Sequence, residues 1–412
     1  MLYPMIATFR SQSLYRITAT LTKEIVPDLL QKALLSALER MPYFKVMIKS
    51  GFFRYYFQEN FETPPVVEDN GVVLKALDFR KTKNFPFQLS YHKNVIFYTG
   101  FHCLTDGMGV LEFLKAILYF YLKEIGENPI PDGNFILTHP YDKEEEEDAF
   151  LRYYKKDCKR ESIKGMMGEN ALGFDLTKPQ KKQGLTTVNY YMPADLIKAK
   201  SKEHNTTVTI YLGAILARAI RKTMPNSKLP LMIFIPVNLR SFFPSITMRN
   251  FTMSAVCKIP KDTPDDLNEY IKVLSSELER QTERENMQIK LNYTSTLAKT
   301  PFVRLIPMGI KAFFARFARM LSKSHRQTII FSNLGRHKIQ GTEEIKDIII
   351  DMNCNFRSPR NCGFVTYGDK TVLTLTRLVK ESDVELEFAK GLIAEGIIPD
   401  VTSNERNRKY DM

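Results

Sequence analysis

Strands and helices alternate twice along this chain of 412 residues, once on each side of a polar central segment. In the first half, the strand-like residues 13–20 precede a helical pattern at 26–41, whose apolar positions recur three and four residues apart. In the second half, the strand-like residues 185–192 precede two further helical patterns between 193 and 222. No repeat with a period of about 20–50 residues accompanies this alternation. The pattern therefore predicts two α/β halves of similar size rather than a solenoid.

The segment between the halves, residues 126–184, is rich in proline and charge and contains the acidic run DKEEEED. Such a composition is typical of a connection. We therefore place a domain boundary within it, which gives an N-terminal domain at 1–175 and a C-terminal domain at 176–412. Each domain is expected to be a mixed sheet with helices, and strands at 72–78 and 94–102 are expected in the first.

Positive charge is concentrated in the second half of the chain. The net charge is +13 overall, −3 for residues 1–150 and +16 for residues 151–412. Between Asn286 and Thr342 there is no Asp or Glu, and an amphipathic helical pattern lies within this stretch. A phosphate-rich small molecule, an acidic carrier protein and an anionic membrane surface each fit this pattern, and so does a core-packed helix with a solvated basic face. Nucleic acid is not expected, because no recognition motif accompanies the charge.

The N-terminus and the cysteines bear on the compartment. Arg10 and Arg16 interrupt the first apolar residues, so no signal peptide is expected, and no apolar stretch approaches the roughly 18 residues of a spanning helix. The five cysteines form no CxxC pair and are odd in number, which favours reduced thiols. We expect a cytoplasmic protein, with residues 304–326 as a candidate for peripheral membrane contact.

The stretch YTGFHCLTDGMGVLEFL carries the clearest candidate for chemistry. A strand pattern leads to His102, Asp106 and Gly107 follow, and a helix with a leucine face begins at once. A strand end next to a tight turn presents its last side chain at the rim of a sheet, where α/β proteins bind ligands. A neutral imidazole there can take a proton from a hydroxyl or an amine near pH 7.

Simpler interpretations of the same residues remain open at this point. His102 could be packed at the strand end, with Asp106 capping the helix and Gly107 permitting the turn. Cys103 should point to the opposite face from His102, which favours a buried apolar cysteine over a nucleophile. No metal site is predicted, because no cluster of His, Cys, Asp or Glu supplies further ligands.

Two strand ends in the second half add polar groups. PVNLR ends an apolar strand at Arg240, a fixed cation that could pair with Asp106 or simply be solvated. FSNLG ends another strand with Ser332 and Asn333, which could polarise a carbonyl or form an ordinary turn.

Taken in order, these segments resemble the chloramphenicol acetyltransferase-like superfamily, which includes alcohol acetyltransferases, condensation domains of peptide synthetases and polyketide-associated acyltransferases. The resemblance is carried by five segments spread over most of the chain: ALLSALERMPYFKVMI, VIFYTGFHCLTDGMGVLEFL, TVTIYLGAILARAI, FIPVNLRSFFP and FSNLG. It implies two similar domains that meet at a central cleft crossed by a tunnel. Phe101 stands where many members have a second histidine, which weakens a close match to condensation domains.

The resemblance also implies roles for single residues. His102 would be the general base of a direct acyl transfer, and Asp106 would pair with an arginine, for which Arg240 is our choice. Gly107 would leave room for the pantetheine arm. The set expected near the thioester or the acceptor is Ser332, Asn333 and Asn238.

The expected function is an acyltransferase that moves a short or medium acyl group from a thioester to a small-molecule alcohol or amine. Coenzyme A is the preferred donor, as a co-substrate rather than a permanently bound cofactor. Two alternatives are condensation-type ester or amide formation with an acyl carrier protein as donor, and a catalytically inactive binding homologue.

Overall fold

The computed structural model describes residues 12–131, 136–156, 170–174, 185–321 and 327–405. Their strands are β1 Leu14–Leu21, β2 Val46–Ser50, β3 Tyr55–Glu59, β4 Val66–Glu68, β5 Phe87–His92, β6 Val95–Phe101, β7 Thr186–Pro193, β8 Leu231–Asn238, β9 Thr252–Ile259, β10 Ile329–His337, β11 Ile345–Met352, β12 Arg360–Tyr367, β13 Lys370–Arg377 and β14 Asp400–Ser403. Their helices are α1 Pro27–Arg40, α2 Gly107–Glu124, α3 Ala149–Arg152, α4 Ala194–Glu203, α5 Val208–Thr223, α6 Leu267–Thr282, α7 Arg284–Lys299, α8 Pro301–Leu305, α9 Met308–Leu321 and α10 Asp383–Ala394.

The first large sheet contains five strands in the order β11-β1-β6-β5-β4. β1 lies between β11 and β6 and pairs antiparallel with both. The helices α1 and α2 pack together, and the inward positions of both, including Leu34 and Leu114, are fully buried against this sheet. β11 comes from the second half of the sequence, so the chain returns late to complete the first sheet.

The second large sheet contains seven strands in the order β14-β7-β13-β12-β10-β8-β9. β10 runs parallel to β8 and β12, whereas the remaining pairs are antiparallel. The mostly apolar α5 is buried between α6, α10 and this sheet, with Leu212 and Leu216 fully inaccessible. Two sheet-containing halves with packed helices confirm the predicted mixed α/β class, while the predicted boundary at 175 and 176 lies outside the described residues.

The strand expected at 72–78 is wrong. Leu74 has a left-handed backbone with φ of 54°, which breaks an extended run. The backbone N–H and C=O of Leu77 both bond to the side chain of Gln12, so they take no part in a ladder. The buried Leu74 and Leu77 instead fill a small core beside the first sheet. Apolar alternation here reflects packing of a loop, which periodicity alone does not distinguish from a strand.

A loop of the second sheet contacts the first. Residues 239–251 connect β8 to β9 and lie against the turn between β6 and α2. Thr105 Oγ1 in that turn donates to the backbone oxygen of Met248 at 2.5 Å. The two halves therefore meet where the strand of the HCLTDG motif ends.

Candidate active site

The turn between β6 and α2 holds His102 by local hydrogen bonds. The backbone N–H of His102 donates to the backbone oxygen of Ser13 at 2.8 Å, which fixes the strand end beside β1. Asp106 Oδ1 accepts hydrogen bonds from the backbone N–H groups of the second and third helical residues, both at 3.1 Å. Asp106 is therefore the N-cap of α2, which ends the turn and starts the helix at Gly107.

The half-buried imidazole of His102 contacts residues from both halves. Asn250, which precedes β9, has its Nδ2 atom 3.1 Å from both Nδ1 and the backbone oxygen of His102. The Tyr15 ring meets the imidazole nearly at right angles, with 5.4 Å between ring centroids. Burial lowers the pKa of His102 below its ordinary value, while a hydrogen bond to its own backbone and the charge of Asp106 act in the opposite direction. The ring is therefore neutral at pH 7 and can accept a proton.

Asp106 and Arg240 form an ion pair across the contact between the halves. Asp106 Oδ2 accepts from Arg240 Nη1 at 2.8 Å and from the backbone N–H of Phe251 at 2.7 Å. The carboxylate is fully buried, and the arginine side chain is 9% exposed. With the two helix N–H groups, four donors converge on one carboxylate, so this buried charge is both paired and hydrogen-bonded.

The Arg240 guanidinium also organises the loop that carries Asn250. Nε donates to the backbone oxygen of Thr247 and Nη2 to that of Arg249, each at 2.8 Å. Asn238 Oδ1 accepts from both the backbone N–H and Nη1 of Arg240, each at 3.1 Å. In this arrangement Asn238 orients Arg240, and its expected contact with a thioester or acceptor stays a prediction.

Gly107 and the FSNLG segment are in contact. A Cβ atom at position 107 would lie 2.6 Å from Cδ2 of Leu334, which is closer than carbon atoms pack. Leu334 belongs to β10 of the second sheet and packs against the core of the first. The missing side chain at Gly107 therefore accommodates this leucine, and the expected room for a pantetheine arm stays a prediction.

The polar residues of FSNLG are placed differently from one another. Ser332 is buried, at 8% exposure. Asn333 Nδ2 donates to Thr209 Oγ1 at 2.9 Å, and Oδ1 accepts from the backbone N–H of Gly335 at 2.7 Å. Gly335 has φ of 87°, a conformation that favours glycine. Asn333 thus ties β10 to the first turn of α5, and contact of Ser332 or Asn333 with a substrate remains a prediction.

Cys103 has a different environment from His102. The thiol is buried, and burial raises its pKa well above the usual range. This opposes the thiolate that a nucleophile requires. In the described part of the chain, no group of three or more His, Cys, Asp or Glu side chains is arranged to hold a metal ion.

Asn250 and Tyr15 are residues next to His102 that sequence reasoning missed. Asn250 is the more distant of the two in sequence. It lies 148 positions from His102, and its amide belongs to a loop of the other sheet. The only local signal is a polar residue two positions before the strand-like TMSAVCKI, which is common near strand starts. Nothing in the order of residues links Asn250 to the HCLTDG motif, because their contact depends on how the halves pack.

Solved structures with the same architecture cover nearly the whole chain. Polyketide synthase associated protein 5 from Mycobacterium tuberculosis is 14% identical, with a TM-score of 0.63 over 92% of this chain and 93% of that one. Trichothecene 15-O-acetyltransferase from Fusarium sporotrichioides is 13% identical, with a TM-score of 0.57 over 94% of this chain and 90% of that one.

The condensation domain of the monacolin K polyketide synthase also has this architecture. It is 12% identical to this chain, with a TM-score of 0.53 over 93% of this chain and 91% of that one. No protein-family model matches the chain, and no curated protein sequence does. At 12–14% identity, these likenesses establish the fold, and the chemistry has to be argued from the site.

Proposed function

We propose that this chain, whose fold is that of the chloramphenicol acetyltransferase-like superfamily, is an acyltransferase that moves an acyl group from a thioester to an alcohol or amine. The observation that carries the proposal is the half-buried His102 imidazole at the meeting of the two halves, with its pKa lowered by burial. A base that is neutral at pH 7 and held in place suits proton abstraction from a hydroxyl or amine.

In the proposed reaction, His102 takes the proton of the acceptor as its oxygen or nitrogen attacks the thioester carbonyl. The tetrahedral intermediate then collapses, the carbon–sulfur bond breaks, and the proton on the imidazole passes to the leaving thiolate. The products are an ester or amide and a free thiol, and no acyl-enzyme forms.

Asp106, Arg240 and Asn250 act on His102 in this proposal without touching the reacting atoms. The Asp106–Arg240 ion pair joins the helix that follows His102 to the loop that carries Asn250. Asn250 then bonds to the backbone oxygen of His102. These contacts fix the ring relative to both halves, which general base catalysis requires because the proton is transferred over hydrogen-bond distance.

Coenzyme A is the preferred donor, and an acyl carrier protein is the alternative. The net charge of +16 on residues 151–412 suits the phosphates of coenzyme A and would equally suit an acidic carrier protein. Titration of the protein with acyl-CoA and, separately, with acyl carrier protein distinguishes the two donors. A small-molecule acceptor with a free hydroxyl or amine completes the reaction in either case.

The test is thiol release from acyl-CoAs of increasing length in the presence of a panel of alcohols and amines. We expect turnover with the native protein and its loss in His102→Ala. His92→Ala is the matched control, since His92 lies on β5 and its side chain is 53% exposed. Equal turnover of His102→Ala and the native protein would contradict the proposed mechanism, and an inactive native protein with every donor would favour a binding homologue.

A further inference from the structure

Phenylalanines from two distant parts of the chain form one exposed apolar surface. We define the phenylalanine patch as Phe52, Phe53, Leu305, Ile310, Phe313, Phe314 and Phe317. Phe52 is 71% exposed, Phe313 63% and Phe314 62%. Scattered single apolar residues are normal on a surface, but a contiguous group of this kind marks an interaction site.

Backbone contacts hold the two parts of the patch together. The turn between β2 and β3 carries Phe52 and Phe53, and its backbone oxygens accept from the start of α9. The Met308 N–H donates to the Phe52 oxygen at 2.7 Å, and Lys311 Nζ donates to the Phe53 oxygen at 2.9 Å. A cavity of about 630 Å³ lies between the hairpin and α9, and its lining includes Tyr55 and Phe313. The hairpin and the helix thus present their aromatic rings as one surface.

The two sequence segments that supply the phenylalanine patch contain basic residues and no acidic ones. No Asp or Glu occurs in residues 40–58, which contain the hairpin, or in residues 286–342, which contain α9. Lys49, Arg54 and Arg304 are exposed cations of these segments. Among the residues that the structure describes, no carboxylate forms an ion pair with any of the three. Unpaired cations beside exposed aromatic rings complement an anionic surface with an apolar interior.

We infer that the phenylalanine patch docks on the surface of an anionic phospholipid bilayer. The aromatic side chains would enter the boundary between head groups and acyl chains, and Lys49, Arg54 and Arg304 would face the head groups. In the described part of the chain, no helix has the length and hydropathy needed to cross a bilayer, so the contact would be peripheral. An acidic carrier protein would use the cations but leave most of the aromatic rings exposed. The inference does not depend on the acyltransfer proposed above.

The test is co-sedimentation with vesicles of phosphatidylcholine mixed with phosphatidylglycerol, compared with phosphatidylcholine alone. We expect stronger binding to the anionic vesicles and weaker binding at high ionic strength. The double variant Phe313→Ser with Phe317→Ser should bind the anionic vesicles at least about tenfold more weakly than the native protein, because each substitution removes most of the apolar area of its side chain. If that variant does not fold, Phe52→Ser with Phe53→Ser measures the same contribution from the hairpin.

A matched control removes equally exposed apolar side chains elsewhere. Leu386 and Ile398 are 56% and 79% exposed, on and just after α10. Replacing both by serine should leave vesicle binding unchanged. Absence of binding to anionic vesicles at low ionic strength would overturn the inference, and so would binding that the phenylalanine variants leave intact. Self-association that the phenylalanine variants abolish, without vesicle binding, would assign the patch to a second copy of the chain instead.

Discussion

Asp106 Oδ2 lies 2.8 Å from Arg240 Nη1, and this single ion pair joins the turn after His102 to the loop that carries Asn250. Asp106 accepts its full set of hydrogen bonds, and four of the five guanidinium N–H groups of Arg240 bond within the protein. Asp106 accepts four hydrogen bonds, and the guanidinium donates to backbone oxygens of its own loop as well. In the proposed mechanism, the pair would therefore position His102 and take no direct part in the proton transfer.

Asp106→Asn should lower stability and activity together. The substitution leaves the buried Arg240 without its counter-charge, which costs about 3–5 kcal/mol of unfolding free energy for a buried pair. Urea denaturation measures this loss. Asp265→Asn is the control, because Asp265 is 61% exposed in its pair with Arg218 and should cost less than about 1 kcal/mol. A denaturation midpoint for Asp106→Asn equal to that of the control would show that the pair has no structural role.

His102→Ala should reduce acyl transfer by roughly a hundredfold to ten-thousandfold, the usual range for a general base. Folding should be retained, because the imidazole is only half-buried and the capping of α2 depends on Asp106. Thiol release measures the first effect and circular dichroism the second. Loss of the folded state in His102→Ala would assign the residue a structural role.

Asn250→Asp should shift the acid limb of the pH–rate profile for acyl transfer to higher pH. Burial lowers the pKa of His102, so the native rate should fall only when the pH drops below the ordinary value of about 6.5. A carboxylate at position 250 would stand about 3 Å from the ring and favour its charged form, raising the pKa of His102. More base is then protonated at a given pH, and the acid limb of kcat/KM shifts to higher pH. An unchanged limb would show that Asn250 does not act on the ring.

Gly107→Val should destabilise the protein by about 1–3 kcal/mol, as overpacking does. The added side chain would meet Leu334, so the same substitution should cost less in a Leu334→Ala background. Gly309→Val is the control, because a Cβ there meets nothing within 4 Å. Equal losses in both backgrounds would mean that Leu334 is not what Gly107 accommodates. If stability recovers in the double variant while transfer does not, the space at Gly107 also serves a substrate.

Asp351→Asn should stabilise the protein above pH 6. Burial raises the pKa of Asp351 to about 6, despite the opposing charge of Arg16. The pKa of an aspartate in the unfolded chain is near 3.9, so between that pH and pH 6 the folded protein keeps a proton on Asp351 that the unfolded chain has lost. The free energy of unfolding therefore falls as the pH rises through this range, because a buried charge has to form on Asp351 in the folded state. The amide carries no charge at any pH, so the gain should be roughly 1–3 kcal/mol at pH 8 and small at pH 4. Thermal unfolding at both pH values measures it. A gain that does not vary with pH would exclude ionisation of Asp351 as its cause.

Much of the local structure could be predicted from the sequence. The helices α1, α2 and α5 and the strands β1, β6 and β8 fall where apolar spacing placed them, because an element with a buried face repeats apolar residues at its own period. Asp106 as an N-cap follows from the same local chemistry. The resemblance to the chloramphenicol acetyltransferase-like superfamily is confirmed at the level of fold.

Only the tertiary structure decided which distant residues meet. β11 joins the first sheet although it lies more than 300 residues after β1, Asn250 reaches His102, and Leu334 fills the space at Gly107. The hairpin phenylalanines likewise join those of α9 only through folding. Each of these contacts depends on long-range packing of complete elements, and the pattern of residues within one element carries no information about which other element covers it.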